Sequence, residues 1–373
     1  MARMMPDSAA IDPAQRRGRG AQSNATGRYE ATTREGFDDG WDIEEALPPM
    51  RREVHEETPR RIVTRNTSPD VGFDRSINAY RGCEHGCVYC FARPTHAYLG
   101  LSPGLDFETR LSAKPRAAAL LRRELDRKSY TPEPLAMGTN TDPYQPLEKE
   151  RRITRSLIEV LLEYRHPFSI TTKSAMVVRD LDLLSEAASL GIVHVALSVT
   201  TLDHRLSRLM EPRASAPRRR LWAVSQLAEA GVPVMVMAAP MIPMLTDHEM
   251  EAIVAAAAKA GAGAAGYIPL RMPLEIKDLF REWLATHFPD RKARVLRHIR
   301  EMHGGRDYDP EWGTRLSGTG VHAALMARRF ESALARSGLT RPRMRQRCDL
   351  FRRPPRKGDQ LGLFDGADDQ MSS

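Results

Sequence analysis

Short apolar runs at residues 76–80, 134–138, 168–172, 193–200, 232–239 and 264–270 alternate with amphipathic runs at 114–127, 150–164, 181–190, 217–230 and 250–260. The first set has the length of strands and is bordered by Gly, Pro or polar turns. The second set has the apolar spacing of surface helices. Gly191, Gly231 and Gly261 each stand just after a helical run, where a left-handed C-terminal cap suits glycine. A strand followed by a helix, repeated, makes successive strands parallel, because a crossover is needed to bring the chain back in the same direction. The pattern predicts an α/β fold built on six parallel strands, either open and doubly wound or curved into a barrel.

The chain has 373 residues, room for such a sheet with extensions at both ends. Hydrophobic residues at 41% and charged residues at 28% exclude a wholly disordered or collagen-like chain. No apolar run approaches the ~18 residues of a membrane span. The N-terminus also lacks the apolar core of a secretory signal, so the sequence reads as cytoplasmic, with no membrane association. Residues 1–60 carry 9 basic and 12 acidic side chains and little apolar periodicity, which predicts a disordered N-terminal tail. Residues 61–305 are the expected barrel or sheet domain, 306–357 a basic helical extension, and 358–373 a flexible tail; helices are expected at 291–302 and 321–337.

Three of the four cysteines fall in Arg81-Gly82-Cys83-Glu84-His85-Gly86-Cys87-Val88-Tyr89-Cys90, a C-x3-C-x2-C spacing on the loop after the first strand. Four cysteines are too few for a disulfide scaffold, and a tight trio points to a metal or redox centre in a reducing compartment. Three occupancies compete. A zinc ion would need a fourth ligand, with His85 and His96 at hand but no second paired knuckle. An unliganded trio is the plainest alternative, in a chain otherwise poor in cysteine. A [4Fe–4S] cluster on three thiolates, its fourth iron open to a substrate or cofactor, agrees best with soft donors and a missing fourth cysteine.

With an aromatic residue before the third cysteine, this loop resembles that of the radical S-adenosylmethionine superfamily. The wider strings SINAYRGCEHGCVYCFARPTHAYLG, GTNTDPYQPLE and LSVTTLD, followed by LMEPR, resemble the DNA repair photolyase-like group related to spore photoproduct lyase, over residues 63–302. The resemblance implies a partial (β/α)6 barrel of the TIM type, with Cys83, Cys87 and Cys90 holding a [4Fe–4S] cluster at the C-terminal mouth of the strands. It implies S-adenosylmethionine bound to the open iron through its amino and carboxylate groups. Reductive cleavage would then give methionine and a 5′-deoxyadenosyl radical that abstracts hydrogen. An electron donor such as flavodoxin or ferredoxin would be required.

The resemblance also assigns cofactor positions. Asn140, Thr141 and Asp142, after strand two, correspond to the loop that meets the methionine amino group. Lys173, ending strand three, and Arg213 correspond to carboxylate partners. Ser198 and Thr200, two apart on strand four and therefore facing one way, correspond to contacts with ribose hydroxyls or carboxylate, and residues 239–243 to an apolar wall for adenine. Each has a plainer alternative: a hydrogen-bonded turn, a solvated lysine, a surface ion pair. His85 is expected to face solvent. One departure stands out. Spore lyases carry a hydrogen-returning cysteine near the strand-two loop and tyrosine on both sides of the third cluster cysteine. This chain has no cysteine there and reads Tyr89-Cys90-Phe91. The spare thiol, Cys348, lies far along the chain and reads as incidental.

Residues 291–357 hold 18 lysines and arginines against 6 aspartates and glutamates, on a chain of net charge +8. Such density suits a polyanion, since cationic side chains release condensed counterions from phosphates. Gln360, Leu361, Leu363 and Phe364 are apolar and polar anchors in a polar tail. Gln-Leu-Gly-Leu-Phe resembles the peptide that docks on the bacterial sliding clamp, with Gly where Ser or Asp is usual. The expectation is a radical enzyme acting on DNA or another nucleic acid. The alternatives are radical chemistry on a protein or small molecule, and a non-catalytic cluster-bearing sensor.

Overall fold

All six expected runs form strands in the computed structural model, which describes residues 11–33, 50–342 and 346–355. The strands among these residues are β1 (Glu53–Glu56), β2 (Val63–Arg65), β3 (Arg75–Ile77), β4 (Tyr80–Arg81), β5 (Arg110–Ala113), β6 (Leu135–Met137), β7 (Phe168–Thr172), β8 (Val193–Ser198), β9 (Val234–Met241) and β10 (Ala264–Pro269). The larger sheet runs in the order β10-β9-β8-β7-β6-β3-β2. Its six strands β3 and β6 to β10 pair in parallel, and β2 adds an antiparallel edge. Sequential order means that every right-handed crossover steps the same way, which sends all the crossover helices to one face. A doubly wound sheet would reverse at a switch point. The fold is therefore the partial (β/α)6 barrel, and the doubly wound alternative falls.

Crossover helices Ala117–Leu125, Ile153–Glu163, Leu181–Ser189, Pro217–Glu229 and Met250–Lys259 cover the sheet. Leu121, Leu157, Leu161, Val224 and Ile253 are fully buried against Ile170, Val195 and Val236. Burial along nearly the whole of β8 accounts for its largely apolar run, whereas Thr171 in β7 is exposed. The three cap glycines adopt left-handed φ of 69°, 75° and 89°.

Several features exceed the expectation. A second sheet, β1-β5-β4, stands beside the loop that carries the cysteines. Helices Ile276–His287 and Pro289–Met302 bring Phe280, Trp283, Leu284, Val295 and Ile299 into one core with Cys87, Val88 and Tyr89. Helix Gly320–Ser337 packs on Met250–Lys259 and puts Met326, Phe330 and Leu334 into the main barrel core rather than into a detached extension. The expected N-terminal tail differs too. Within it, residues 11–33 run against the cysteine loop, with Ala21 fully buried beside Leu105 and Leu279. The contacts there are made by backbone amides and small residues, which leave no apolar period to read.

At the other end, Gln346 donates to Phe168 O at 3.2 Å, and the Arg347 amide to Gly191 O at 3.0 Å. Phe351 meets Tyr130, Tyr164 and His166. This segment crosses the N-terminal ends of the strands. Gln360, Leu361, Leu363 and Phe364 lie outside the described residues. No helix among the described residues is long and apolar enough to cross a membrane.

Candidate functional site

The loop after β4 carries the three cysteines to the C-terminal end of the sheet. Cys83 and Cys87 are buried, Cys90 is half-buried, and all are free of disulfides. Burial, the largest influence, pushes all three thiols up from their ordinary range. A bound cationic centre reverses that preference, because metal coordination deprotonates the thiol. The Cys83 amide donates to Phe107 O at 2.9 Å, the Val88 amide to Met210 O at 2.9 Å and the Cys90 amide to Cys87 O at 3.2 Å. Gly82, at φ 73°, permits the entry to this turn: a Cβ would lie 2.8 Å from Phe107 O.

The residues fit a cluster better than a single ion. Among the described residues no three His, Cys, Asp or Glu side chains converge as one metal ion requires. His96 is engaged with Arg110 O at 2.8 Å, and His85 with the Asp142 carboxylate at 3.2 Å. A cubane holds its irons at separate corners, so three thiolates can bind it without meeting at one point. His85 is 2% exposed, so the expectation that it faces solvent is corrected: Asp142 draws it inward.

The loops after β6, β7, β8 and β9 end beside this loop. Thr141 donates to Gly82 O at 2.6 Å and accepts from Gln145 at 3.0 Å, while Gln145 Oε1 accepts from the Glu84 amide at 2.9 Å. Thr141 is therefore a brace for the cysteine turn. Asp142 accepts from Tyr144 N at 2.9 Å, Thr172 Oγ1 at 2.6 Å and Lys173 N at 2.8 Å. Its burial alone would raise its carboxyl, but His85 and these donors outweigh that and hold it down to about 2. Asn140 is half-buried; its amide nitrogen reaches Thr95 Oγ1 only at 3.4 Å. Lys173 Nζ donates to Ala239 O at 3.4 Å and sits 5.6 Å from the centre of the Tyr89 ring. Thr200 donates to Ala239 O at 3.0 Å, which makes the start of the 239–243 segment polar as well as apolar. The Ser198 carbonyl accepts from Arg220 at 3.0 Å. Arg213 pairs with Glu84 at 3.3 Å, and Arg52 with the other oxygen of Glu84 at 3.2 Å.

Two buried ion pairs next to the cysteines escaped the sequence reading. Glu211 pairs with Arg220, accepts from the Tyr89 hydroxyl and from Ser207 at 3.1 Å, and so connects the cysteine loop to β8. Arg93 and Glu108, both 0% exposed, pair at 2.5 Å beneath Cys87. Nothing in the sequence marks them as partners: Arg220 ends the run Arg218-Arg219-Arg220, and Glu108 stands between Asp106 and Arg110. Cys348 lies by Gln346 and Arg347 at the N-terminal ends of β7 and β8, the far end of the barrel from the cysteine loop.

The model of the Radical SAM superfamily matches residues 77–257. An uncharacterised protein of Mycobacterium tuberculosis is 39% identical over 240 residues, which cover 64% of this chain and 69% of that protein. An uncharacterised protein of Methanocaldococcus jannaschii is 29% identical over 174 residues, 46% of this chain and 62% of that one. Among solved structures, spore photoproduct lyase complexed with dinucleoside spore photoproduct has a TM-score of 0.54 at 16% identity, covering 76% of this chain and 79% of that chain. A mutant of the same lyase with bound AdoMet and dinucleoside spore photoproduct has a TM-score of 0.51 at 17% identity, over 76% and 78%. At these identities the likeness is one of fold. The chain belongs to the radical SAM superfamily and is a radical SAM enzyme, whose cofactors are a [4Fe–4S] cluster and S-adenosylmethionine.

Proposed function

We propose that Cys83, Cys87 and Cys90 hold the [4Fe–4S] cluster and that the enzyme abstracts hydrogen from a nucleic acid. The observation that carries the cluster assignment is the trio of thiols free of disulfides, two buried and one half-buried, on one braced loop at the C-terminal end of the sheet. When bound, the cluster supplies the electron that cleaves S-adenosylmethionine to methionine and a 5′-deoxyadenosyl radical. The chain's own part is to bind, orient and exclude water. Lys173, held by its amide to Asp142, is the side chain for the methionine carboxylate. Arg213 is the weaker candidate because Glu84 already shares it. Asn140 keeps hydrogen-bonding capacity for the methionine amino group. Asp142 acts through Lys173 and His85, its oxygens being taken. Ser198 and Thr200 form the wall on the β8 side.

The nucleic-acid reading rests on where basic charge stays free. Arg300, Arg315, Arg329, Arg341 and Arg347 are paired with acids. Arg291, Lys292 and Arg294, at the start of helix Pro289–Met302, make no ion pair among the described residues. Arg291, Arg294 and Arg329 line a cavity of about 530 Å³ with Met244, Asp247, His248 and Asp290. The solved lyase of like fold carries a dinucleoside, which supports the same substrate class here. The hydrogen-return relay of the spore lyases is incomplete here, since beyond the trio the one remaining cysteine, Cys348, lies at the far end of the barrel. In anaerobic assays, DNA should raise 5′-deoxyadenosine formation. The gain should shrink with salt, with a slope of log affinity against log salt of about −2 to −3 for three phosphate contacts, and should weaken when Arg291, Lys292 and Arg294 become alanine. Stimulation by a protein or small molecule, with none by DNA or RNA, would reject this substrate class.

A further inference from the structure

We propose that residues 19–25 are a strap that locks the loop bearing Cys83 and Cys87 into its cluster-holding shape, with Glu108 and Arg93 as the positioning residues on which it closes. This rests on the assignment of the cluster to those cysteines. Arg93 directs its donors at one small region: Nε to Cys87 O at 2.8 Å, Nη2 to Gly86 O at 3.1 Å, and Nη1 to Pro103 O at 3.1 Å and Gly104 O at 2.8 Å. It thereby grips two successive carbonyls of the cysteine loop, those of Gly86 and Cys87. Its counter-charge is Glu108, which one guanidinium cannot satisfy alone, since a carboxylate offers about four acceptor positions. The strap fills the remainder: the Gly20 and Ala21 amides donate to Glu108 at 3.0 and 2.9 Å. Arg19 adds a bond from Nη1 to Glu108 O at 3.0 Å.

The fit between strap and loop leaves no slack. A Cβ on Gly20 would lie 1.8 Å from Gly86 O and 3.0 Å from Gly86 C, so only a hydrogen passes there. The far end of the strap is pinned as well. Asn24 and Asp106 exchange two bonds, at 3.0 and 2.9 Å, and Ser23 donates to Glu282 at 2.7 Å on helix Ile276–His287. A loose tail would need none of this. The strap lies outside residues 77–257, the span that the superfamily model matches.

Gly20→Ala tests this with little other disturbance, because Gly20 does not occupy left-handed φ and alanine adds only the clash. Gly263→Ala is the control, its added methyl meeting nothing within 4 Å. In the iron-free full chain, hydrogen exchange at residues 82–93 should rise about tenfold in Gly20→Ala, with β7 to β9 unchanged. After anaerobic reconstitution, iron retained per chain should fall to about half or less, as outer-shell losses do elsewhere. Asn24→Ala, which frees the far end without a clash, should move both readings the same way, and Gly263→Ala neither. Exchange and iron both equal to wild type in Gly20→Ala would overturn the strap. Iron equal to wild type in Cys87→Ala would instead overturn the cluster assignment, while the exchange result still decides the strap.

Discussion

Glu211 and Arg220 carry opposite charges in a place where neither could stand alone. Burial works against the Glu211 carboxylate, but Arg220 and Lys173 outweigh it and keep its carboxyl below the ordinary range. Arg220→Leu should therefore cost about 3–5 kcal/mol by leaving a buried carboxylate unpaired. Replacing both by leucine should recover much of that loss; urea unfolding of the single and double variants checks it, and a double variant as unstable as the single one contradicts it. Asp142 gives a prediction in pH. Its folded carboxyl titrates near 2, below an ordinary 3.8, so the unfolded chain takes up the proton first. The stabilisation is present in full above the unfolded value and is lost as pH falls from about 4 toward 2. Asp142→Asn should cost about 2 kcal/mol near neutrality and progressively less in acid. Equal gaps between wild type and variant at neutral pH and at about pH 3 would refute that role.

At the scale of elements, what could be read was what repeats. β8 is buried along nearly its whole length and β9 is apolar throughout, while β7 is shorter and more polar with Thr171 exposed; each has a turn at either end. The first expected strand is longer than the one that forms: Asn78 interrupts it, because its side chain bonds Thr139 and the Asn140 amide instead of a ladder. β1, β4 and β5 are short, and Glu53, His55 and Glu56 in β1 have no alternating apolar face to announce a strand. Helix Ile276–His287 has buried residues Ile276, Leu279, Phe280, Trp283 and Leu284 at helical spacing. That period was legible, but it lies beyond the last strand, where the βα alternation stops. The strap at 19–25 left no such trace, since its bonds come from the Gly20 and Ala21 amides and from the polar side chains of Arg19, Ser23 and Asn24, none of which makes an apolar period. Cys83, Cys87 and Cys90 were legible because spacing alone brings them together. Glu108, Arg93, Glu211 and Arg220 were not, because only the fold makes them partners. The C-terminal segment at the strand N-termini makes a prediction at this scale. Phe351→Ala should lower stability by about 2 kcal/mol through lost aromatic burial, and Cys348→Ser should have little effect. Neither should change 5′-deoxyadenosine formation per folded chain, which an assay at constant folded fraction reads directly.

Across the whole molecule, the two ends of the barrel divide the work. The N-terminal ends of the strands are closed by residues 346–353 and contribute stability, while the C-terminal ends gather the thiols, Asn140, Lys173 and Thr200, as active sites in such barrels do. The N-terminal segment, helix Ile276–His287 and helix Pro289–Met302 all press on the cysteine loop from outside the matched superfamily span. The barrel that the superfamily model matches is thus supported by segments of the chain on either side of it. These three thiols are proposed to hold the centre that cleaves S-adenosylmethionine. The measurement is 5′-deoxyadenosine produced anaerobically, after reconstitution with iron and sulfide and reduction with dithionite, by wild type and by Cys87→Ala. Product from wild type and none from the variant is the expected result. A reducible cluster in wild type that yields no 5′-deoxyadenosine, with or without nucleic acid, would contradict it and favour a cluster-bearing sensor.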